Sequence, residues 1–300
     1  MTAEQRPRAA FIGSVAFSER LLARLAVCES ITVAGVATLR AAPSHADFQS
    51  LAPTAAQAGL ACLELDGNDQ ERLADWLHGL AVDVAFCIGW PHLLREAVLE
   101  TPRLGVIGYH PTLLPANRGR HPIIWALALG LDSTGSTFFV MDRGADSGDI
   151  VSQREVTIGD DDDAGSLYAR LGAVAESQID EICGELAAGR LPRTPQNPAR
   201  ANAWRRRTRR DGVIDWRMPA AGIRNLVRAL TSPYPGATCV VADTEYPVWK
   251  VELVAGAPAN LEPGRVLAVD GLRVTVKCGD GAVVLADHGI RTPLEAGAAL

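Results

Sequence analysis

A single histidine stands where an apolar run gives way to a loop, in Gly105-Val106-Ile107-Gly108-Tyr109-His110. Pro111 and Pro115 follow it and stiffen that loop. Asp146 stands at the next such junction, in the polar stretch 142–149 (DRGADSGD) that follows the apolar run 135–141 (GSTFFVM). If the two strands are neighbours in a sheet, His110 and Asp146 meet over its edge. A carboxylate beside an imidazole orients the ring and supports the uptake of a proton, which suits general acid–base work. On spacing alone a lone histidine is more often a structural residue, so both readings stand. The four consecutive acids at 160–163 also have two readings. They fit the capped, solvated start of a helix. They could bind a metal, but they lack the alternating spacing of a calcium loop.

The surrounding pattern supplies the frame for these residues. Residues 9–13 (AAFIG), 31–36 (ITVAGV) and 62–65 read as short strands, and 82–88 (VDVAFCI) as a continuous apolar one. Helical spacing occupies 18–27, 52–59 and 69–80, the last with Leu73, Trp76, Leu77 and Leu80 on one side. Continuous rather than alternating apolarity marks a strand covered on both faces. The β-α-β-α-β order therefore predicts an open, doubly wound α/β domain, whose ligands belong at the carboxyl ends of the strands. Further along, 105–109 and 135–141 read as strands, and 123–129 and 164–188 as helices. Residues 190–210 are rich in Pro, Asn and Arg, which predicts a domain boundary: 1–200, then 201–300. The second part reads as a helix at 220–230 and five short strands at 238–241, 248–254, 265–269, 272–277 and 282–286. Turns at Asp270-Gly271 and Asp280-Gly281 suit hairpins, and the whole suits a small β-barrel.

Composition narrows the function. The chain has 300 residues, 48% of them apolar, and a formal net charge of -6. That balance lends no general attraction to phosphate backbones or anionic membranes. The cysteines at 28, 62, 87, 183, 239 and 278 show no C-x-x-C spacing, so a structural zinc site is not expected. Scattered through apolar runs, they read as buried thiols of a reducing compartment. The first residues show no apolar run of signal-peptide length, and no stretch approaches the roughly 18 apolar residues of a membrane span. A cytoplasmic setting without membrane contact is the expectation.

The stretches HPTLLPANRGRHPIIWAL and TGSTFFVMDRGADSGDI together resemble the core of the folate-dependent formyltransferases. That family includes methionyl-tRNA formyltransferase, glycinamide ribonucleotide transformylase and the sugar-nucleotide N-formyltransferases. The family pattern looks like H-x-S/T-L-L-P-x-x-R-G, then W-A, T-G-x-T and D-x-G-D-I, and each element occurs here in order. DGVIDW (211–216), IRNLVRAL (223–230) and PYPGA (233–237) continue the likeness across most of the chain. The resemblance implies a Rossmann-like catalytic domain with a small C-terminal, OB-like β-barrel. It implies N10-formyltetrahydrofolate as donor and attack by an amine through a tetrahedral intermediate. By the same resemblance His110 stabilises the oxyanion and shuttles the proton, while Asp146 orients His110 and helps deprotonate the amine. Ile88, Gly89, Trp90, Leu93 and Leu94 would line the folate pocket; otherwise they are a strand end and the start of a helix.

One position departs from the family. An asparagine usually stands two residues before the histidine and donates to the developing oxyanion; here it is Gly108. Loss of one such donor typically costs about 100- to 1,000-fold in turnover. Asn117 or a backbone N–H exposed by Gly108 could replace it, or the reaction itself has changed.

The resemblance leaves the acceptor open. Methionyl-tRNA formyltransferases usually carry a basic insertion after the second strand; residues 37–51 here contain only Arg40. RRRTRRDGVIDW (205–216) resembles the sugar-nucleotide subgroup. Arg205 to Arg210 read as a solvated linker, a nucleotide-diphosphate contact or a tRNA contact, and Trp125 and Trp249 as core or support. The leading expectation is a nucleotide-linked amino sugar as substrate. The alternatives are methionyl-tRNA, another amine, or a folate-binding protein with impaired catalysis. A homodimer would be ordinary for the family.

Overall fold

The computed structural model describes residues 6–41 and 47–300. Met1 to Gln5 and part of the stretch after the second strand, residues 42–46, lie outside the described residues, and so do the readings that fall on them. The first part of the chain runs β1 (Arg8–Gly13), α1 (Ala16–Ala26), β2 (Thr32–Leu39), α2 (Ala52–Gln57), β3 (Ala61–Leu65), α3 (Gln70–Leu80), β4 (Val84–Ile88), α4 (Glu96–Glu100) and β5 (Val106–His110). It continues through β6 (Arg118–Gly119), α5 (Pro122–Ala128), β7 (Ser133–Val140), β8 (Ile150–Thr157), α6 (Ala164–Ala187) and β9 (Ala203–Trp204).

Seven strands form one sheet in the order β3-β2-β1-β4-β5-β7-β8. The first five are parallel neighbours, and β5 meets β7 antiparallel. This is the expected mixed α/β domain with a parallel-rich sheet. The parallel strands are buried because helices cover the sheet: every residue of Val84–Ile88 is buried. Phe11, Phe86 and Phe138 are among the largest fully buried side chains. Truncating one such phenylalanine to alanine costs about 3–5 kcal/mol. On one side of the sheet Leu73, Leu77 and Val98 pack with Ala85, Cys87 and Val106.

Besides the two-residue strands β6 and β9, the sequence reading gave no range for β8 or α4. β8 mixes charges with a modest apolar pattern, and α4 is only five residues long. The strand read as ending at 109 includes His110 as its last residue. The acids at 160–163 form a helix start, as one reading held. Asp162 accepts from the Gly159 N–H and the Ser166 hydroxyl, and Asp163 from the Ser166 N–H.

The C-terminal part carries α7 (Ala220–Leu230), β10 (Ala237–Val241), β11 (Thr244–Val254), β12 (Val266–Asp270), β13 (Arg273–Lys277) and β14 (Ala282–His288). The five expected strands are present as one antiparallel sheet, ordered β10-β11-β14-β13-β12. The closed barrel expected there is not what the ladders show: among the described residues the edge strands β10 and β12 do not pair. The turn joining β10 to β11 escaped notice because it lacks glycine; Ala242 and Asp243 take left-handed conformations, with φ of 47° and 64°.

Compactness divides the chain into two interleaved units. One holds Met1–Gly119, Gly135–Val156 and Ala169–Trp204; the other holds Arg120–Thr134, Thr157–Tyr168 and Arg205–Leu300. In the second unit α5 packs on α7, whose buried face is Ile223, Leu226, Val227 and Leu230.

The cysteines are all free, but the expectation of uniformly buried thiols needs correction. Cys62 is exposed on β3 and Cys28 half-buried, whereas Cys87, Cys183, Cys239 and Cys278 are buried. Burial disfavours the thiolate, pushing Cys87 and Cys239 up to about 12 and Cys278 to about 11. A thiol-exchange reagent at mild alkaline pH should therefore modify Cys28 and Cys62 in the native protein, and the other four only after unfolding. Native reaction of three or more thiols would contradict this burial.

Candidate active site

Adjacency of β5 and β7 satisfies the condition on which the His110–Asp146 pair rested. His110 lies opposite Thr137, at the carboxyl end of β5, and is 5% exposed. The proline-bearing loop that follows is tied back to the sheet. The Thr137 hydroxyl donates to the Thr112 carbonyl at 2.6 Å, and the Gln153 amide donates to the Leu114 carbonyl at 2.9 Å.

The surroundings of the His110 ring assign its nitrogens. Nε2 lies 2.8 Å from the Asn117 carbonyl oxygen. A carbonyl only accepts, so Nε2 carries the hydrogen. Nδ1 then faces the Asp146 carboxylate, with Oδ2 at 3.7 Å. That distance is too long for a direct hydrogen bond and suits an ion pair or one intervening water. A proton accepted at Nδ1 would therefore lie against a negative charge in a buried place.

Both partners of the ring sit on left-handed backbone: φ is 64° at Asn117 and 56° at Asp146. Such conformations cost about 1–3 kcal/mol each and persist only where neighbours over-determine them. Here they do. The Asn117 N–H donates to Asn202 Oδ1 at 2.7 Å, and Asn202 Nδ2 donates to Asn117 Oδ1 at 3.0 Å. Asp146 Oδ2 accepts from the Gly119 N–H at 2.8 Å, and the Asp146 carbonyl accepts from Gln196 at 2.9 Å. With its side-chain oxygen committed to Asn202, the NH2 of Asn117 is the part of that amide able to serve an oxyanion.

Gly108 has no spare room for a side chain unless Met141 shifts. A Cβ there would meet Met141 Cγ at 2.8 Å and Phe139 Cζ at 3.1 Å. Gly108 is also registered between Cys87 and Phe139, so its N–H belongs to the sheet. The backbone N–H of Gly108, suggested above as a donor, is therefore engaged within the sheet.

The segment after β4 turns sharply at Gly89, where φ is 64°. A Cβ there would lie 2.2 Å from Val15 Cγ2, so only glycine fits. The Ser18 hydroxyl donates to the Ile88 carbonyl at 2.6 Å. Gln70 fixes the far side: its amide donates to the Leu93 carbonyl and its oxygen accepts from the Arg95 N–H, both at 2.6 Å. The side chains of Ile88 and Leu94 are buried in the core, while Gly89 and Leu93 are exposed and Trp90 half-buried. The indole N–H of Trp90 is buried with no partner among the described residues.

The arginine run 205–210 is largely exposed, as the solvated reading held, but several of its side chains have defined partners. The Arg205 and Arg207 guanidinium groups lie 5.2 and 4.7 Å from the centre of the Trp125 ring. Arg205 pairs with Asp211 at 2.8 Å and Arg209 with Glu245. The Arg205 guanidinium and the Thr208 N–H hold the Asp211 carboxyl below the usual carboxylate range. The Trp125 indole N–H donates to the Arg205 carbonyl at 3.0 Å, and the Trp249 indole N–H to the Pro235 carbonyl at 3.1 Å. Arg40 lies 3.9 Å from Glu64 and 3.5 Å from Asp66.

Several residues at this site escaped the sequence reading: Gln196, Asn202, Gln70 and Ser18. None belongs to a recognisable motif, and each acts on a backbone group distant in sequence. A lone glutamine among prolines, in TPQNP, is the only local hint.

The formyl transferase model matches residues 25–181, and the formyl transferase C-terminal domain model matches residues 207–292. The chain belongs to the formyl transferase family. Among solved structures it is similar to WlaRD, a sugar 3N-formyl transferase determined with dTDP and 5-N-formyl-THF. The TM-score is 0.69 at 15% identity, over 96% of this chain and 99% of that one. It is similar to an N-formyltransferase from Helicobacter canadensis, in complex with folinic acid and dTDP-3-aminofucose. There the TM-score is 0.70 at 14% identity, over 94% and 100% of the two chains. HypX from Aquifex aeolicus, in complex with tetrahydrofolic acid, matches with a TM-score of 0.64 at 18% identity, over 95% of this chain but only 44% of that one.

The filled space at Gly108 yields a direct test. Gly108→Asn should destabilise the fold by about 1–3 kcal/mol through overpacking, and Met141→Ala in the same chain should recover part of that loss. An unchanged melting midpoint in the single variant would mean that the position has room.

Proposed function

We propose that this enzyme transfers a formyl group from N10-formyltetrahydrofolate to the amino group of a nucleotide-linked amino sugar. The observation that carries the reading is the buried His110 ring, with Nε2–H held on a backbone carbonyl and Nδ1 turned toward Asp146.

The chemistry needs two services. As the amine attacks the formyl carbon, a C–N bond forms and the carbonyl electron pair moves to oxygen. The amine must then lose a proton, and N10 of the folate must gain one as its bond to carbon breaks. His110 Nδ1 can take the first proton and return it to N10, with Asp146 balancing the imidazolium in between. The Asn117 NH2 is the donor we assign to the oxyanion in place of the missing asparagine. The folate would lie along residues 88–94. Gly89 lets the chain bend there, Trp90 offers an N–H without a protein partner, and Leu93 offers apolar contact. Ile88 and Leu94 contribute backbone and support from the core.

Support for a sugar acceptor comes from the ligands of the similar structures, dTDP in one and dTDP-3-aminofucose in the other. A tRNA acceptor is disfavoured by the net charge of -6 and by the carboxylates around Arg40. In this reading residues 1–200 carry the chemistry and 201–300 form the accessory part. A cytoplasmic setting suits the free thiols, and no described helix is long and apolar enough to cross a membrane.

The test is a formylation assay with N10-formyltetrahydrofolate and a panel of dTDP-, UDP- and GDP-amino sugars, run beside methionyl-tRNA. Turnover on a nucleotide sugar is expected, abolished in His110→Ala and lowered about 10²- to 10⁴-fold in Asp146→Asn. Asn117→Ala should cost about 100-fold or more in kcat; unchanged turnover would remove it as the oxyanion donor. Turnover on tRNA alone would overturn the acceptor. Folate binding without turnover on any amine would favour the impaired-catalysis reading that Gly108 raises.

A further inference from the structure

Residues 190–204 run from the end of α6 to β9 and reach both loops of the site. Thr194 and Ile150 exchange backbone hydrogen bonds, each 2.8 Å long. Asn202 holds Asn117, and its carbonyl accepts from the Arg118 N–H at 3.0 Å. Between these two anchors lies Gln196. Its Nε2 donates to the carbonyls of Asp146 at 2.9 Å and Gly148 at 2.7 Å. Its Oε1 accepts from Arg118 Nη2 at 2.6 Å and Nε at 3.2 Å. Both N–H donors grip the loop of Asp146, and both lone pairs grip the loop of Asn117.

We propose that Gln196 is a positioning residue for formyl transfer, setting the His110–Asp146 geometry by joining the two loops through one amide. The inference rests on the reading of His110 and Asp146 as the catalytic pair. Left-handed Asp146 relaxes to ordinary backbone unless both its ends are held. The Gly119 N–H holds its carboxylate and Gln196 holds its carbonyl. Through Arg118, Gln196 also steadies the neighbouring Asn117 carbonyl, against which the His110 N–H is fixed. Glutamine suits the position because the two loops make opposite demands: carbonyls on one side need donors, and a guanidinium on the other needs an acceptor. Glutamate would keep the second contact and set a carboxylate against two carbonyl oxygens in the first.

The test compares full-length wild type with Gln196→Ala and Gln196→Glu. Both variants should lose about 10- to 100-fold in kcat, the scale of a misplaced catalytic group. KM for N10-formyltetrahydrofolate should stay within twofold, because Gln196 touches no part of the pocket. The proton on His110 Nε2 supplies a readout that needs no acceptor. Buried and hydrogen-bonded, it should give a slowly exchanging ring N–H resonance, assigned by its loss in His110→Gln. Gln196→Ala should speed its exchange tenfold or more, whereas Gln196→Glu should retain it through Arg118 while still losing kcat. Turnover and ring-proton exchange within twofold of wild type in Gln196→Ala would overturn the proposal. Should that variant fail to fold, Gln196→Glu decides: normal kcat overturns the proposal, and low kcat with the ring proton retained supports it. Should wild type itself formylate no amine, the proposed function fails separately, and the ring-proton exchange alone still judges the role of Gln196.

Discussion

The hydrogen bond from His110 Nε2 to the Asn117 carbonyl governs how this site can act. It fixes the tautomer, and so leaves Nδ1 as the nitrogen with an open lone pair, facing Asp146. It also ties the histidine to its own following loop rather than to solvent. Everything that shapes the loop, from the Thr137 and Gln153 contacts to the Asn117–Asn202 pair, therefore acts on the orientation of one ring. Asp146 completes the pair from the next junction in the same sheet. Its position follows from the antiparallel register of β5 and β7 and from the return of the loop along Val140. Gly148 is required in that return, since a Cβ there would lie 1.7 Å from the Val140 carbonyl oxygen.

Neutral amides do much of the fastening around this ring. Gln70 secures the segment after β4, Gln153 the loop after His110, and Gln178 bonds Ser136 and Ser152 on adjacent strands. An amide satisfies a carbonyl and an N–H at once without adding charge. The charge set directly against the ring is the Asp146 carboxylate, 3.7 Å from Nδ1. Away from the ring, ion pairs also fasten elements: Arg20 with Glu176 and Arg24 with Asp180 join α1 to α6.

The frame and the central pair could be read from the sequence because their signals are local. The apolar runs of β1 and β4, the helical spacing of α3 and the His-Pro junction each announce themselves within a few residues. The Gly108 departure was visible too, but its meaning was not. Only the packing shows Met141 and Phe139 occupying the space that a side chain would need. Gln196 and Asn202 were invisible for a related reason. Their partners lie 48 to 85 residues away and are mostly backbone groups, which carry no residue-type signature. The barrel expectation failed at the edges, since strand spacing predicts pairing along the chain and says little about closure between β10 and β12. The arginine run is exposed, as composition suggests, but its contacts to Trp125 and Asp211 carry no local signature.

The chain passes between its two compact units in six alternating segments. Modular exchange therefore cannot follow the linear boundary. A cassette of residues 205–300 taken alone would leave behind α5, on which α7 packs, and the loop before α6, whose Gly159, Asp160 and Asp162 carbonyls accept from Arg228. Recombination with a relative would have to carry three separate stretches together. Variation in the C-terminal sheet is thus constrained by residues encoded in the middle of the N-terminal part, and the two portions must diverge in step.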